Sequence, residues 1–392
     1  MLVELSPSGG LFQFAVELGT NMAARGQLVE LWTGPRPELA SSQTGFTIRG
    51  ILPTWHPADD RVRPRWFRLA RRVMRAGQLV FAWIVLTVRL IIARPRAVLW
   101  SQWRFSFEPM FASLASILLP KTIFGIIAHE PVPRSDAKDT SRHKTGGLIE
   151  FAFGTAWRRL DLAFVLGSKT RDLAISHWRP RCPVYVIPHG SESGLRGGAT
   201  VRNVADTDPV ALFFGVWSKY KGIDVLLQAF ETVHGLYPEA RLVLAGAVGA
   251  DVDADEILTR SRAIGNVDAH PGYVPIEDVP ALLDAARVVV APYVRATQSG
   301  AAHLAYTFGR PVIASAVGDL PEAVEDGVTG LLVPAGDAEA LAVAILRLLR
   351  EPALAARLGA VGERRVANAS AAAAREVCEA LAKAGETDGA HR

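Results

Sequence analysis

Phe213-Phe214-Gly215-Val216-Trp217-Ser218-Lys219-Tyr220-Lys221-Gly222 decides the fold. An apolar strand, Val210–Phe214, runs into a glycine loop, and an amphipathic helix over 222–236 and a strand over 241–245 follow. The same rhythm continues downstream. Helices are read over 279–286 and 299–308, strands over Val288–Ala291, 311–314 and Gly330–Val333, and helices over Ala338–Arg350, 353–367 and 371–384. Upstream, a strand over 2–5 reaches the turn Ser8-Gly9-Gly10, a helix over 12–25 ends at Gly26, and a strand over 28–32 follows. Further apolar strands are read at Ala97–Trp100, 122–127, 163–166 and 184–187. Strand alternating with helix requires parallel sheets, right-handed crossovers and helices on both faces.

The expectation is therefore an α/β fold of two doubly wound, Rossmann-like domains facing across a cleft, with ligands at the carboxyl ends of the strands. A chain of 392 residues is too long for one ordinary core. A polar stretch over 191–208 reads as the linker. The expected division is an acceptor domain over 1–195, a donor domain over 196–370, and a C-terminal helix and tail over 371–392 that returns toward the N-terminal domain.

Apolar residues make up 49% of the chain and charged residues 21%, which excludes a disordered polymer. The net charge of +4 conceals an asymmetry: residues 1–200 carry +12 and residues 201–392 carry −8. A basic half suits nucleic acid, anionic lipid or a phosphorylated substrate. No zinc-knuckle spacing or aromatic RNA motif accompanies it, so no nucleic-acid partner is expected. Cys182 and Cys378 stand far apart and without metal-ligand company, which points to a reducing compartment. The first residues lack the pattern of a secretory leader, so a cytoplasmic protein is expected, peripheral on the inner membrane face.

Residues 61–96 combine an arginine cluster, Arg61 to Arg75, with the apolar run from Leu79 to Ile92. Two readings compete: an interfacial helix on anionic lipid, and a long helix packed on the N-terminal sheet. The apolar part reads as shorter than the ~20 residues a membrane span needs, and it contains Arg89. Burial is expected for the apolar half, with the arginine half also touching membrane.

Two loops carry the chemistry. Lys221-Gly222 opens a helix, where backbone amides and a cation suit a phosphate. The stretch Ala296-Thr297-Gln298-Ser299-Gly300-Ala301 joins a buried strand to another helix start, whose amides would face a diphosphate. The bland alternatives are a solvated turn and a plain N-cap. Asp251-Val252-Asp253 matches the letters of a metal motif but lies in an acidic stretch and reads as solvated surface.

The run Gly309-Arg310-Pro311 through Gly330-Leu331-Leu332-Val333-Pro334, with Gly318-Asp319-Leu320-Pro321-Glu322 inside it, resembles the retaining glycosyltransferases of family 4, which have the GT-B fold. Gly9-Gly10, His129-Glu130-Pro131, Ile187-Pro188-His189-Gly190 and Gly272-Tyr273-Val274-Pro275 extend the resemblance over most of the chain. It implies hexosyl transfer from a nucleoside diphosphate sugar to a hydroxyl of a glycan or lipid-linked acceptor, in polysaccharide or cell-envelope assembly. No metal and no cofactor are implied beyond the sugar nucleotide. By resemblance, Lys221 binds the diphosphate and stabilises the leaving nucleotide. Ser299, Gly300 and Ala301 hold the distal phosphate, Val274 meets the base, and His129 sits over the sugar. Gly10, Gly215, Gln298 and Lys219 join the donor site.

The chain departs from the family twice. Val216 stands where an arginine is common, with Lys219 and Arg295 as substitutes. Ala296 and Leu304 stand where a Glu-x7-Glu pair is usual, which leaves Glu322 as the carboxylate for ribose. Residues 296–300 match a branch of the family with Ala-Thr-Gln-Ser-Gly at this place. Two alternatives remain open: a non-catalytic relative binding nucleotide or a partner protein, and a sugar-nucleotide epimerase.

Overall fold

The structure, a computed structural model, describes residues 1–56, 59, 67–103, 105, 107–132, 147–196, 200–296 and 299–390. The strands are β1 (Leu2–Val3), β2 (Val29–Thr33), β3 (Phe46–Gly50), β4 (Ala97–Trp100), β5 (Ile123–Ala128), β6 (Leu162–Val165), β7 (Val184–Val186), β8 (Val210–Phe214), β9 (Arg241–Gly246), β10 (Val267–Pro271), β11 (Val288–Ala291), β12 (Val312–Ser315) and β13 (Gly330–Val333). The helices are α1 (Gly10–Ala24), α2 (Phe67–Ala93), α3 (Glu108–Leu118), α4 (Gly147–Arg159), α5 (Ser168–Trp178), α6 (Ser193–Arg196), α7 (Ile223–Leu236), α8 (Ala254–Ile264), α9 (Val279–Ala285), α10 (Gly300–Thr307), α11 (Leu320–Ala323), α12 (Ala338–Arg350) and α13 (Pro352–Ala390).

The chain divides into two compact units. One comprises Met1–Pro188 with Ser370–Arg392, the other His189–Ala369. The stretch over 191–208, read as a linker, instead holds α6 and a short 3-10 turn at Val204–Asp206. The helix α13 is continuous where the sequence suggested two helices, since Asn368 and Ser370 are weak helix formers rather than breakers.

Each unit is one parallel sheet. The first has the order β3-β2-β1-β4-β5-β6-β7 and the second β10-β9-β8-β11-β12-β13. In both, the order reverses beside the first strand, at β1/β4 and at β8/β11. In doubly wound sheets, ligands bind at the carboxyl edge beside such a switch point. Inner strands such as β6 and β11 are buried along their whole length, because helices cover both faces and every side chain needs an apolar neighbour. The strands missed in the sequence, β3 and β10, are edges with polar, exposed residues.

In the first unit, one face of the sheet packs on α1 and on Ala373, Ala374 and Val377 of α13. The other packs on α2, α3, α4 and α5 through Trp83, Trp100, Trp103, Trp157 and Trp178. Leu79, Trp83, Leu86 and Leu90 recur at helical spacing and place one stripe of α2 in this core. The fully buried Glu108 accepts hydrogen bonds from Trp83 Nε1 (3.1 Å) and the Phe105 amide (2.9 Å), which satisfies the carboxylate without water. The apolar part of α2 is longer than the sequence reading allowed: Val73–Ala93 spans 21 residues, enough to cross a membrane by length and composition.

Candidate functional site

The second unit brings the two chemical loops together at its switch point. After β8, Gly215 adopts φ +137°, and Gly246 at the end of β9 lies against its carbonyl too closely for any Cβ. The chain then turns through Ser218 into a 3-10 turn, Lys219–Lys221, closed by Gly222 at φ +69°. Gly222 abuts the Pro292 carbonyl of the loop after β11, and Val294 donates its amide to Tyr220 O (2.9 Å). Only a glycine permits this approach and this dihedral at once.

Lys221 Nζ lies 3.9 Å from the centroid of the Tyr293 ring and 5.4 Å from that of Tyr220. The Tyr293 hydroxyl lies 3.0 Å from Ser299 Oγ, and Ser299 caps α10 by accepting the Ala302 amide. Lysine, tyrosine, serine and helix start thus form one connected chain. The ring faces hold the cation by their quadrupole, worth about 0.5–2 kcal/mol. Among the described residues the amides of Gly300 and Ala301 make no hydrogen bond. They lie in the first turn of α10, where backbone dipoles favour an anion. A cation and two open amides at one strand-end crevice suit a diphosphate.

Asp251 is not the solvated residue expected from sequence. It accepts from Ser218 Oγ (2.7 Å) and the Lys219 amide (3.0 Å) and so fixes the turn that carries Lys221. Partial burial pushes its carboxyl up, but these hydrogen bonds outweigh that and hold it below the ordinary value. Asp253 is likewise engaged, as the N-cap of α8.

The other expected site residues are placed as follows. Val274 lies half-buried in the loop after β10, and the exposed Glu322 lies on α11, after β12; both loops leave the carboxyl edge of this sheet. Gln298 falls outside the described residues. Val216 is 49% exposed, whereas Leu304 is buried. A carboxylate at 304 would be desolvated here, so its absence agrees with the packing. Arg310 is structural: it is buried and donates to the carbonyls of Leu283 (2.7 Å), Arg202 (2.8 Å) and Asp284 (2.9 Å).

Gly10 and His129 belong to the first unit. Gly10 opens α1 after Gly9, at φ +81°, and a Cβ at either would meet open space. His129 follows β5. Its amide donates to Gln102 Oε1 (3.0 Å), and its ring meets Phe14 of α1 edge-on at 4.9 Å. Gln102 also donates to Glu130 O (2.7 Å) and so clasps the turn.

Three residues escaped sequence reasoning. The rings of His189 and His303 stack at 4.0 Å and are buried, and burial lowers both pKa values, that of His189 to about 4. Glu192, 3% exposed, places its Oε1 4.0 Å from where a Cβ on Gly300 would stand, at the start of α10. The signal was Pro188-His189-Gly190, quoted for its resemblance without a role assigned to the histidine.

Two doubly wound units, of order 3-2-1-4-5-6-7 and 3-2-1-4-5-6, correspond to the GT-B fold. Residues 208–351 match the family described as glycosyl transferases group 1. A D-inositol 3-phosphate glycosyltransferase of Corynebacterium aurimucosum is 34% identical over 195 residues, 46% of each chain. A phosphatidyl-myo-inositol mannosyltransferase of Mycobacterium leprae is 32% identical over 181 residues, 45% of this chain and 47% of the relative. The matched part thus spans about half the length of these curated relatives. In fold the chain is similar to sucrose-phosphate synthase of Thermosynechococcus elongatus (TM-score 0.69, 22% identity, 97% and 98% of the two chains). It is also similar to Anabaena HepE, solved with UDP and glucose (TM-score 0.68, 14% identity, 97% and 98%).

Proposed function

We propose that this protein transfers a hexosyl group, with retention, from a nucleoside diphosphate sugar to a hydroxyl of a glycan or lipid-linked acceptor, without a metal ion. The observation that carries the reading is the chain Lys221–Tyr293–Ser299, which sets a cation beside the open amides of α10. Similarity to relatives named as sugar transferases supports it. Donor, acceptor and the inner-membrane-face location belong to the same reading.

In that reaction the bond from the sugar C1 to the diphosphate oxygen breaks, and charge grows on the leaving oxygen. Lys221 and the Gly300 and Ala301 amides are pre-oriented for that charge and need no reorganisation as it develops. The acceptor hydroxyl approaches the face the nucleotide leaves, its oxygen bonds to C1, and its proton passes to the departing diphosphate. His129 positions the sugar, and Val274 meets the base through its backbone.

The test is a donor screen, beginning with UDP-glucose, that reads nucleotide release with acceptor present. Lys221→Ala is expected to lower kcat/KM by at least a hundredfold, as loss of a single charge-stabilising donor does. Unchanged turnover in that variant would refute the assignment. Donor consumption without an acceptor would point to an epimerase.

A further inference from the structure

Among the described residues, only one side of the α2–α3–α4 layer is occupied. Opposite its core stripe, α2 exposes Phe81, Ile84, Val88 and Ile92, the last 77% exposed. Neighbouring α3 exposes Met110, Leu114 and Ile117 at helical spacing, and α4 exposes Leu148 (78%) and Phe151. Aromatic stacking between Trp83 and Phe111 (5.8 Å) joins α2 to α3, and a hydrogen bond from Arg159 Nε to Ser116 Oγ (2.9 Å) joins the carboxyl ends of α3 and α4. The three apolar stripes therefore form one face, a combination monomeric soluble proteins rarely leave uncovered.

The charges around this face are mostly positive, with Glu150 of α4 and Asp161 the acidic exceptions among the described residues. No acidic residue occurs from Arg61 to Phe107, where eleven arginines stand. At the carboxyl ends of the helices, Arg158, Arg159 and Arg181 line a recess of about 390 Å³ with Ser116, Thr122 and Asp161, whose carboxylate accepts the Phe124 amide. Thr122 Oγ1 donates to Pro95 O (2.8 Å), which brings the exposed Arg94 and Arg96 to the same end. A second copy of the chain would meet this rim with an identical cationic rim. An anionic bilayer supplies an apolar phase and counter-charges together.

We infer that the α2–α3–α4 face docks on an anionic membrane surface, its apolar stripes in the headgroup layer and its arginine rim on lipid phosphates. The inferred surface is separate from the cluster Arg61 to Arg75, where membrane contact was expected. In that cluster Arg61, Arg63 and Arg65 lie outside the described residues, as do the side chains of Arg68, Arg71 and Arg72. Arg75 lies 4.7 Å over the Trp55 ring. The inference does not depend on the donor site, because docking requires neither donor nor turnover.

Flotation of the full chain with vesicles tests it. Wild type is expected to float with phosphatidylcholine–phosphatidylglycerol vesicles and not with phosphatidylcholine alone, and added salt is expected to weaken binding. Arg89→Ser with Arg158→Ser removes two surface cations and is expected to weaken partitioning about thirtyfold. Ile84→Asp with Leu114→Asp is expected to abolish flotation while circular dichroism stays native. No flotation of wild type at low salt, or unchanged flotation of the arginine pair, overturns the proposal. A wild-type dimer in light scattering that Ile84→Asp dissociates overturns it in favour of a self-interface.

Discussion

Gly222→Ala isolates the close approach that aligns the two loops of the site. The substitution imposes two costs. At φ +69° an alanine pays about 1 kcal/mol for the left-handed region. Its Cβ would also sit under 3.0 Å from the Pro292 carbonyl oxygen, backbone against backbone, where no flexible side chain can yield. Forced overlap of this kind costs about 1–3 kcal/mol more. Gly327 supplies the control: its φ is +70°, a Cβ there meets nothing within 4 Å, and it lies before β13, at the amino edge of the sheet. Gly327→Ala should therefore cost about 1 kcal/mol and Gly222→Ala about 2–4 kcal/mol. In scanning calorimetry the expected loss in Tm is about 3 °C against about 6–12 °C. Relief of the overlap separates Lys221 from Tyr293 by about 1 Å, which should lower kcat/KM about a hundredfold in Gly222→Ala alone. Equal Tm losses together with unchanged kcat/KM in Gly222→Ala would refute the argument.

Further outcomes are expected. Turnover should survive EDTA, because Asp251 and Asp253 are committed to the Lys219 turn and the α8 cap. Dependence on an added divalent ion would contradict this. The buried His189–His303 pair should make the protein acid-sensitive. Both folded pKa values lie below the unfolded value of 6.5, so the unfolded state takes up protons first, and stability should fall from pH 6.5 toward about 4. Urea midpoints against pH should flatten in His303→Phe. Arg310→Met strands the carbonyls of Leu283, Arg202 and Asp284 and should destabilise by about 3–5 kcal/mol in urea unfolding, with donor KM unchanged in protein that still folds.

Much of the fold was legible in the sequence. The buried strands β4, β8, β11 and β13 announce themselves as short apolar runs, because parallel strands covered on both faces leave no polar position. Gly222 and Ser299 were legible for a different reason: local backbone chemistry restricts which residues can close a left-handed turn or cap a helix. Edge strands β3 and β10 were not legible, since half their surface faces water and their composition resembles a loop. The continuity of α13 was hidden by residues that weaken a helix without ending it.

By itself the sequence determined two α/β units and the presence of a lysine-bearing turn and a serine-capped helix. The tertiary structure decided what these do to each other. Lys221 and Tyr293 are far apart in the chain and meet only because the strand order reverses between β8 and β11. The stacking of His189 on His303, the burial of Glu192 beside α10 and the hold of Asp251 on the Lys219 turn likewise join distant segments. Even the apolar run of α2 reads as one hydrophobic stretch until packing on the sheet buries one stripe and leaves the other exposed. Local propensity sees neighbours a few residues away, whereas burial and through-space charge are set by the closed fold.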